Sequence, residues 1–146
     1  MVPSLFVVVF RWCSRYANPT ISLLELQLTA LLILQVFGPP PQNHVTSPLP
    51  QHGFARNSNW EFLGKSSSEA PGRDSDQSDL TVKLDFGLSH SMLTDEFRAA
   101  WPYEFGLVYS VTLTTDSLET SLQVRNEGQQ NFEFQVLMHT YLSIAV

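Results

Sequence analysis

Leu80, Val82, Leu84, Phe86 and Leu88 alternate with Thr81, Lys83, Asp85 and Gly87, and this period of two constrains the fold more than any other feature of the chain. Successive side chains of a strand point to opposite faces, so the alternation describes a strand with one face buried and one face wet. The period returns in Phe105, Leu107, Tyr109, Val111 and Leu113, and again in Leu118, Thr120, Leu122 and Val124. Thr114–Ser117 makes the turn between those two runs. Asn126-Glu127-Gly128 supplies the next turn, with the glycine free to take φ > 0. A final strand is expected from about Asn131 to Ile144. One short helix is expected over Asp95–Ala100, capped by Thr94 and stopped by Pro102. Consecutive antiparallel strands of this spacing predict an all-β fold, an antiparallel β-sandwich.

The flanks read differently. Residues 1–37 hold only three charged side chains, Arg11, Arg15 and Glu25, and two apolar runs, Leu5–Phe10 and Ile21–Phe37. A membrane span needs about 20 predominantly apolar residues, and the second run is shorter than that and interrupted by Glu25 and Gln27. Neither does the first run make a signal peptide, since no positive charge precedes it and no small-residue cleavage site follows. A membrane segment, a buried core element and a sequence foreign to the domain are the three readings of this head. Between Gly38 and Pro50 stand Pro39, Pro40, Pro41, Pro48 and Pro50, which predict an extended loop or linker. Lys65–Asp79, rich in Ser, Asp and Gly, predicts a solvated connection.

Charge narrows the partners. The net charge of −6 excludes a nucleic-acid binder that works by a basic surface. An anionic small molecule is still open, because one well-placed arginine grips a phosphate with two hydrogen bonds whatever the global charge. The single cysteine, Cys13, excludes an internal disulfide and a cysteine-rich zinc site, and a cytoplasmic location is the expectation. Four histidines without close spacing form no zinc motif. Asp74, Asp76 and Asp79 lack the glycine and closing glutamate of a calcium loop and read as a solvated turn.

The chemistry gathers in two places. Leu49-Pro50-Gln51-His52-Gly53-Phe54-Ala55-Arg56 carries a glutamine, a histidine and an arginine, and Met138-His139-Thr140-Tyr141 carries a second histidine beside a tyrosine. In the last strand Phe132, Phe134, Val136 and Met138 point to the core, which leaves His139 on the polar face, either in a groove or simply in solvent. Drawn together by the fold, these types suit a sugar-phosphate site. His44 and His90 lie in loops and are expected to be solvated. Trp60, Trp101 and Tyr103 either stack on a sugar ring or, as aromatics at strand ends more often do, belong to the core.

The chain from Val36 to Ile144 resembles the glucose-6-phosphate 1-epimerases of the galactose-mutarotase-like superfamily, most of all the fungal type. The resemblance is carried by Phe37-Gly38-Pro39-Pro40, by Leu49–Arg56, by Trp60-Glu61-Phe62-Leu63-Gly64, by Trp101-Pro102-Tyr103-Glu104-Phe105, by Leu122-Gln123-Val124-Arg125-Asn126 and by Met138-His139-Thr140-Tyr141. It implies a β-sandwich that binds a hexose 6-phosphate and interconverts its anomers without cofactor or metal. His139 then matches the general acid, Gln51 and Arg56 match substrate-binding positions with Arg56 on the phosphate, and His52 matches the histidine lining the sugar site.

The chain also departs from the family pattern. Residues 1–35 have no family counterpart, and residues 36–146 are expected to be a partial epimerase domain. The family's general base is a glutamate well beyond the His-Thr-Tyr strand, and an arginine-containing loop of the family reads Thr29–Gln35 here. The expectation is therefore a truncated and inactive member. A carbohydrate-binding module without catalysis is the alternative.

Overall fold

The computed structural model describes residues 5–13, 31–33, 42–67, 81–115 and 117–138. Five strands form an antiparallel sheet: β1 (Leu5–Cys13), β3 (Glu61–Ser67), β4 (Val82–Ser89), β5 (Phe105–Leu113) and β6 (Ser117–Asn126), in the order β1-β6-β5-β4-β3. β2 (Leu31–Ile33) and β7 (Val136–Met138) pair antiparallel in a second, two-stranded sheet. The fold is all-β apart from short helical segments, as the alternation predicts.

Register explains the core. Leu88 lies opposite Leu107, which lies opposite Val124, and Phe86, Tyr109 and Leu122 form the next row. One face of the sheet therefore carries every second residue of three strands. Leu88, Phe105, Leu107, Leu122 and Val124 from that face are buried with Leu49, Phe54, Leu93 and Trp101. Phe132, Phe134 and Val136, leading into β7, pack against the same cluster, so the second sheet lies over the first as in a sandwich.

The helix α1 runs over Asp95–Ala100 with Thr94 as its cap, its Oγ1 accepting the Phe97 N–H at 3.3 Å. Six residues are too few to hold a helix alone. Phe97 and Ala100 pack on the core, and Arg98 ties the helix to the preceding 3-10 turn, donating to the carbonyls of Leu93 (2.7 Å) and Ser91 (3.1 Å) and to the Asp95 carboxylate.

Several expectations are corrected. Lys65–Ser67 is the end of β3 rather than the start of a loop. The proline-bearing stretch is not extended where described: residues 42–50 fold into turns closed by Ser47 N–H to His44 O and Leu49 N–H to Thr46 O, both 2.9 Å, with Thr46 and Leu49 buried. Gly128 does not take positive φ; its N–H donates to Asn126 Oδ1 at 3.0 Å, so the asparagine side chain makes the turn. Asn131–Gln135 keeps the expected alternation, Phe132 and Phe134 inward, but makes no ladder, because among the described residues only Val136–Met138 finds a partner strand.

His90 opens a 3-10 turn, half-buried and edge-on to Phe105 at 6.3 Å, not solvated in a loop. The Leu5–Cys13 strand pairs with β6 along its length, from Leu5↔Arg125 to Cys13↔Ser117. No helix among the described residues is long and apolar enough to cross a membrane.

Candidate functional site

The Leu49–Arg56 segment is built from anchors and projections. Gly53 N–H donates to Pro50 O at 2.9 Å and closes a four-residue turn whose third residue, His52, has φ +70°. Gly53 follows at φ +67°. A histidine in the left-handed region is uncommon, since its Cβ crowds the backbone there. Next comes a 3-10 turn over Ala55–Asn57, closed by Asn57 N–H to Phe54 O at 3.0 Å. Phe54 and Ala55 are fully buried, the Phe54 ring lying 5.3 Å from Phe105, 6.3 Å from Phe97 and 6.4 Å from Trp101. The Trp60 indole N–H donates to Ala55 O at 2.9 Å and the Ser58 hydroxyl to Phe54 O at 3.0 Å. The apolar pair thus pins the backbone from which the polar side chains extend.

Gln51 and Arg56 are exposed and His52 is half-buried. Arg56 makes no hydrogen bond or ion pair with any other described residue. The Ala55–Asn57 turn lies against β2, and β2 pairs with β7 through Leu31↔Met138, Leu32↔Leu137 and Ile33↔Val136. The turn bearing Arg56 and the strand leading to position 139 are therefore neighbours of one two-stranded ladder. His139 itself and Tyr141 lie outside the described residues, as do Asp74, Asp76 and Asp79.

The aromatic candidates belong to the core. Trp101 is fully buried, its ring tilted against Tyr103 at 4.7 Å and edge-on to Phe132 at 5.7 Å. Trp60 is half-buried against Tyr109. Burial pushes the Tyr109 phenol above its ordinary 10.0, with the Thr120 hydroxyl pulling the other way, so this tyrosine is neutral near pH 7. His44 is exposed but not free: its Nδ1 bonds Thr46 Oγ1 at 2.9 Å and its Nε2 stands 3.9 Å from the Glu133 carboxylate. No cluster of three or more His, Cys, Asp or Glu among the described residues suits a metal ion. The feature that residue types alone do not reveal is the left-handed His52, although the Pro50-to-Gly53 spacing marks a turn there.

Two antiparallel sheets over one core, with Gln51, His52 and Arg56 projecting from a segment pinned by Phe54 and Ala55, define an all-β protein of the sandwich class. Residues 31–146 match the aldose 1-epimerase family. The chain belongs to that family, within the galactose-mutarotase-like superfamily, and its chemistry is the interconversion of sugar anomers. The match takes in β2 and begins five residues before Val36, while β1 precedes it.

Proposed function

We propose that the protein interconverts the α and β anomers of a hexose 6-phosphate, glucose 6-phosphate foremost. Gln51, His52 and Arg56 bind the substrate, with Arg56 on the phosphate, and His139 is the general acid. The observation that carries this reading is Arg56: an exposed guanidinium without a partner among the described residues, set beside the β2–β7 ladder. A guanidinium in that state is ready for a bidentate grip on a phosphate.

The reaction follows from the groups. Imidazolium at His139 delivers a proton to the ring oxygen while a carboxylate base takes the proton of the C1 hydroxyl, the part the family pattern gives to a glutamate beyond the His-Thr-Tyr strand. The bond between C1 and the ring oxygen breaks, its electrons go to that oxygen, and the C1–O bond becomes the aldehyde carbonyl. Rotation about C1–C2 presents the other carbonyl face, and the C5 hydroxyl adds back with the two proton transfers reversed. An imidazole with an ordinary pKa of about 6.5 gives and recovers that proton at neutral pH.

Anomer exchange followed by NMR tests the assignment, glucose 6-phosphate against glucose. The protein should favour the phosphorylated sugar, and Arg56→Ala should lower its affinity for that sugar by about 10- to 100-fold while leaving glucose unaffected. Equal loss on both sugars would remove the phosphate contact. His139→Gln should lower turnover far more than binding, as for a group that acts in the transition state.

A further inference from the structure

The face of the five-stranded sheet that looks away from the core carries a groove of about 200 Å³. Its floor is Gly87 on β4 and Gly106 on β5, with Val108 opposite Gly87 in the register. Neither glycine has a positive φ, so backbone conformation does not call for glycine at either place. Glycine weakens a strand interior, and in that position it marks close approach of another group. Here the approach is visible: a Cβ on Gly106 would stand 2.5 Å from the Glu127 carboxylate, and one on Gly87 would stand 3.1 Å from the Leu63 methyls.

Beside the two glycines stand Glu61, Arg125 and Glu127. Glu61 lies opposite Gly87 and Arg125 lies opposite Gly106. None of the three side chains has a hydrogen bond or ion pair among the described residues, although charges of both signs line one small groove. Leu63 and Met92 add exposed apolar surface at the rim. Two carboxylates against one guanidinium repel an anion. An ammonium ion satisfies the carboxylates and leaves the arginine unmatched. A hydroxyl does both, donating to carboxylate and accepting from guanidinium, and a ring of hydroxyls with an apolar C–H face also suits the leucine and methionine rim.

We infer that this outer groove is a second carbohydrate site, selective for a neutral monosaccharide unit over a phosphorylated one. It shares no residue with the Leu49–Arg56 segment and requires no ring opening.

The probe is methyl α-D-glucopyranoside, which is locked as one anomer, titrated into the full chain and followed by backbone amide NMR. Saturable shifts of Gly87, Gly106 and Arg125 are expected, with glucose 6-phosphate leaving those amides unmoved. Arg125→Ala should weaken the glycoside at these amides by about tenfold or more. Gly106→Ala should do the same, because the new Cβ takes the place of the Glu127 carboxylate, while its melting temperature stays level or rises. Glycoside shifts confined to residues 51–56, equal shifts with glucose 6-phosphate, or full response in both variants would each overturn the outer site. Glucose 6-phosphate shifts at residues 51–56 report separately on the epimerase reading, so failure of one is visible apart from the other.

Discussion

At the scale of single residues, His52 is where sequence and structure diverge most usefully. The residue type announced polar chemistry, but nothing in the letters Gln-His-Gly states that the histidine holds φ +70°. Backbone held in a sparsely populated region costs about 1–3 kcal/mol and persists only where the surroundings over-determine it. Here the Pro50–Gly53 hydrogen bond and the buried Phe54 do that. His52→Gly should accordingly keep or raise the melting temperature while lowering affinity for glucose 6-phosphate. Gly53→Ala, at φ +67°, should do the opposite to stability, lowering it by about 1 kcal/mol or more. Thermal melts beside a ligand titration separate the two. A large drop in melting temperature for His52→Gly would make the histidine a structural part of the turn rather than a ligand group.

At the scale of elements, legibility followed burial. β5 begins and ends where the alternation does, and α1 where Thr94 and Pro102 punctuate it, because each segment meets a buried face or a backbone constraint that selects particular residue types. β3 carries no such record. It is one of the two edges of the sheet among the described residues, Phe62 and Leu63 are more than half exposed, and a bulge at Phe62–Gly64 breaks its register, so no alternation was imposed on it. The turns over residues 42–50 escaped for a different reason: their closure depends on where Thr46 and Leu49 become buried, which prolines alone do not report.

β4 and β5 are also joined on their outer face, where the Ser110 hydroxyl donates to the Asp85 carboxylate and Lys83 Nζ stands 3.0 Å from it. Burial pushes the Asp85 carboxyl up, but the Ser110 hydrogen bond and the Lys83 hydrogen bond and charge outweigh it and hold the group below its ordinary 3.8. A lowered carboxyl pKa adds stability that is complete above the unfolded value and is lost as pH falls through the folded one. Melting temperature should therefore fall as pH drops below 3.8, and Ser110→Ala, with less stabilisation to lose, should start lower and fall less, so that the two curves converge in acid. Parallel curves for the two proteins across pH 2–6 would show that the tie adds nothing.

At the scale of the whole molecule, the candidate site and the core are joined through Leu49, Phe54 and Ala55, Phe54 foremost. Phe54 stands in sequence between His52 and Arg56, yet its ring is fully buried among Phe97, Trp101 and Phe105, which come from α1, its C-cap and the start of β5. The turn that carries Gln51 and His52 is held in place by the same contacts that close the core, so its geometry is only as firm as that cluster. Removing a buried phenylalanine costs about 3–5 kcal/mol, a large share of the roughly 5–15 kcal/mol by which a domain is stable. Phe54→Ala should lower the melting temperature sharply and weaken glucose 6-phosphate together with it. Arg56→Ala, exposed and unpartnered among the described residues, should weaken the ligand with the melting temperature unchanged. Measuring both quantities on both variants distinguishes the two roles. Intact ligand affinity in a destabilised but still folded Phe54→Ala would show that the turn keeps its shape without the core, and that its hydrogen bonds from Trp60 and Ser58 suffice to present Gln51, His52 and Arg56.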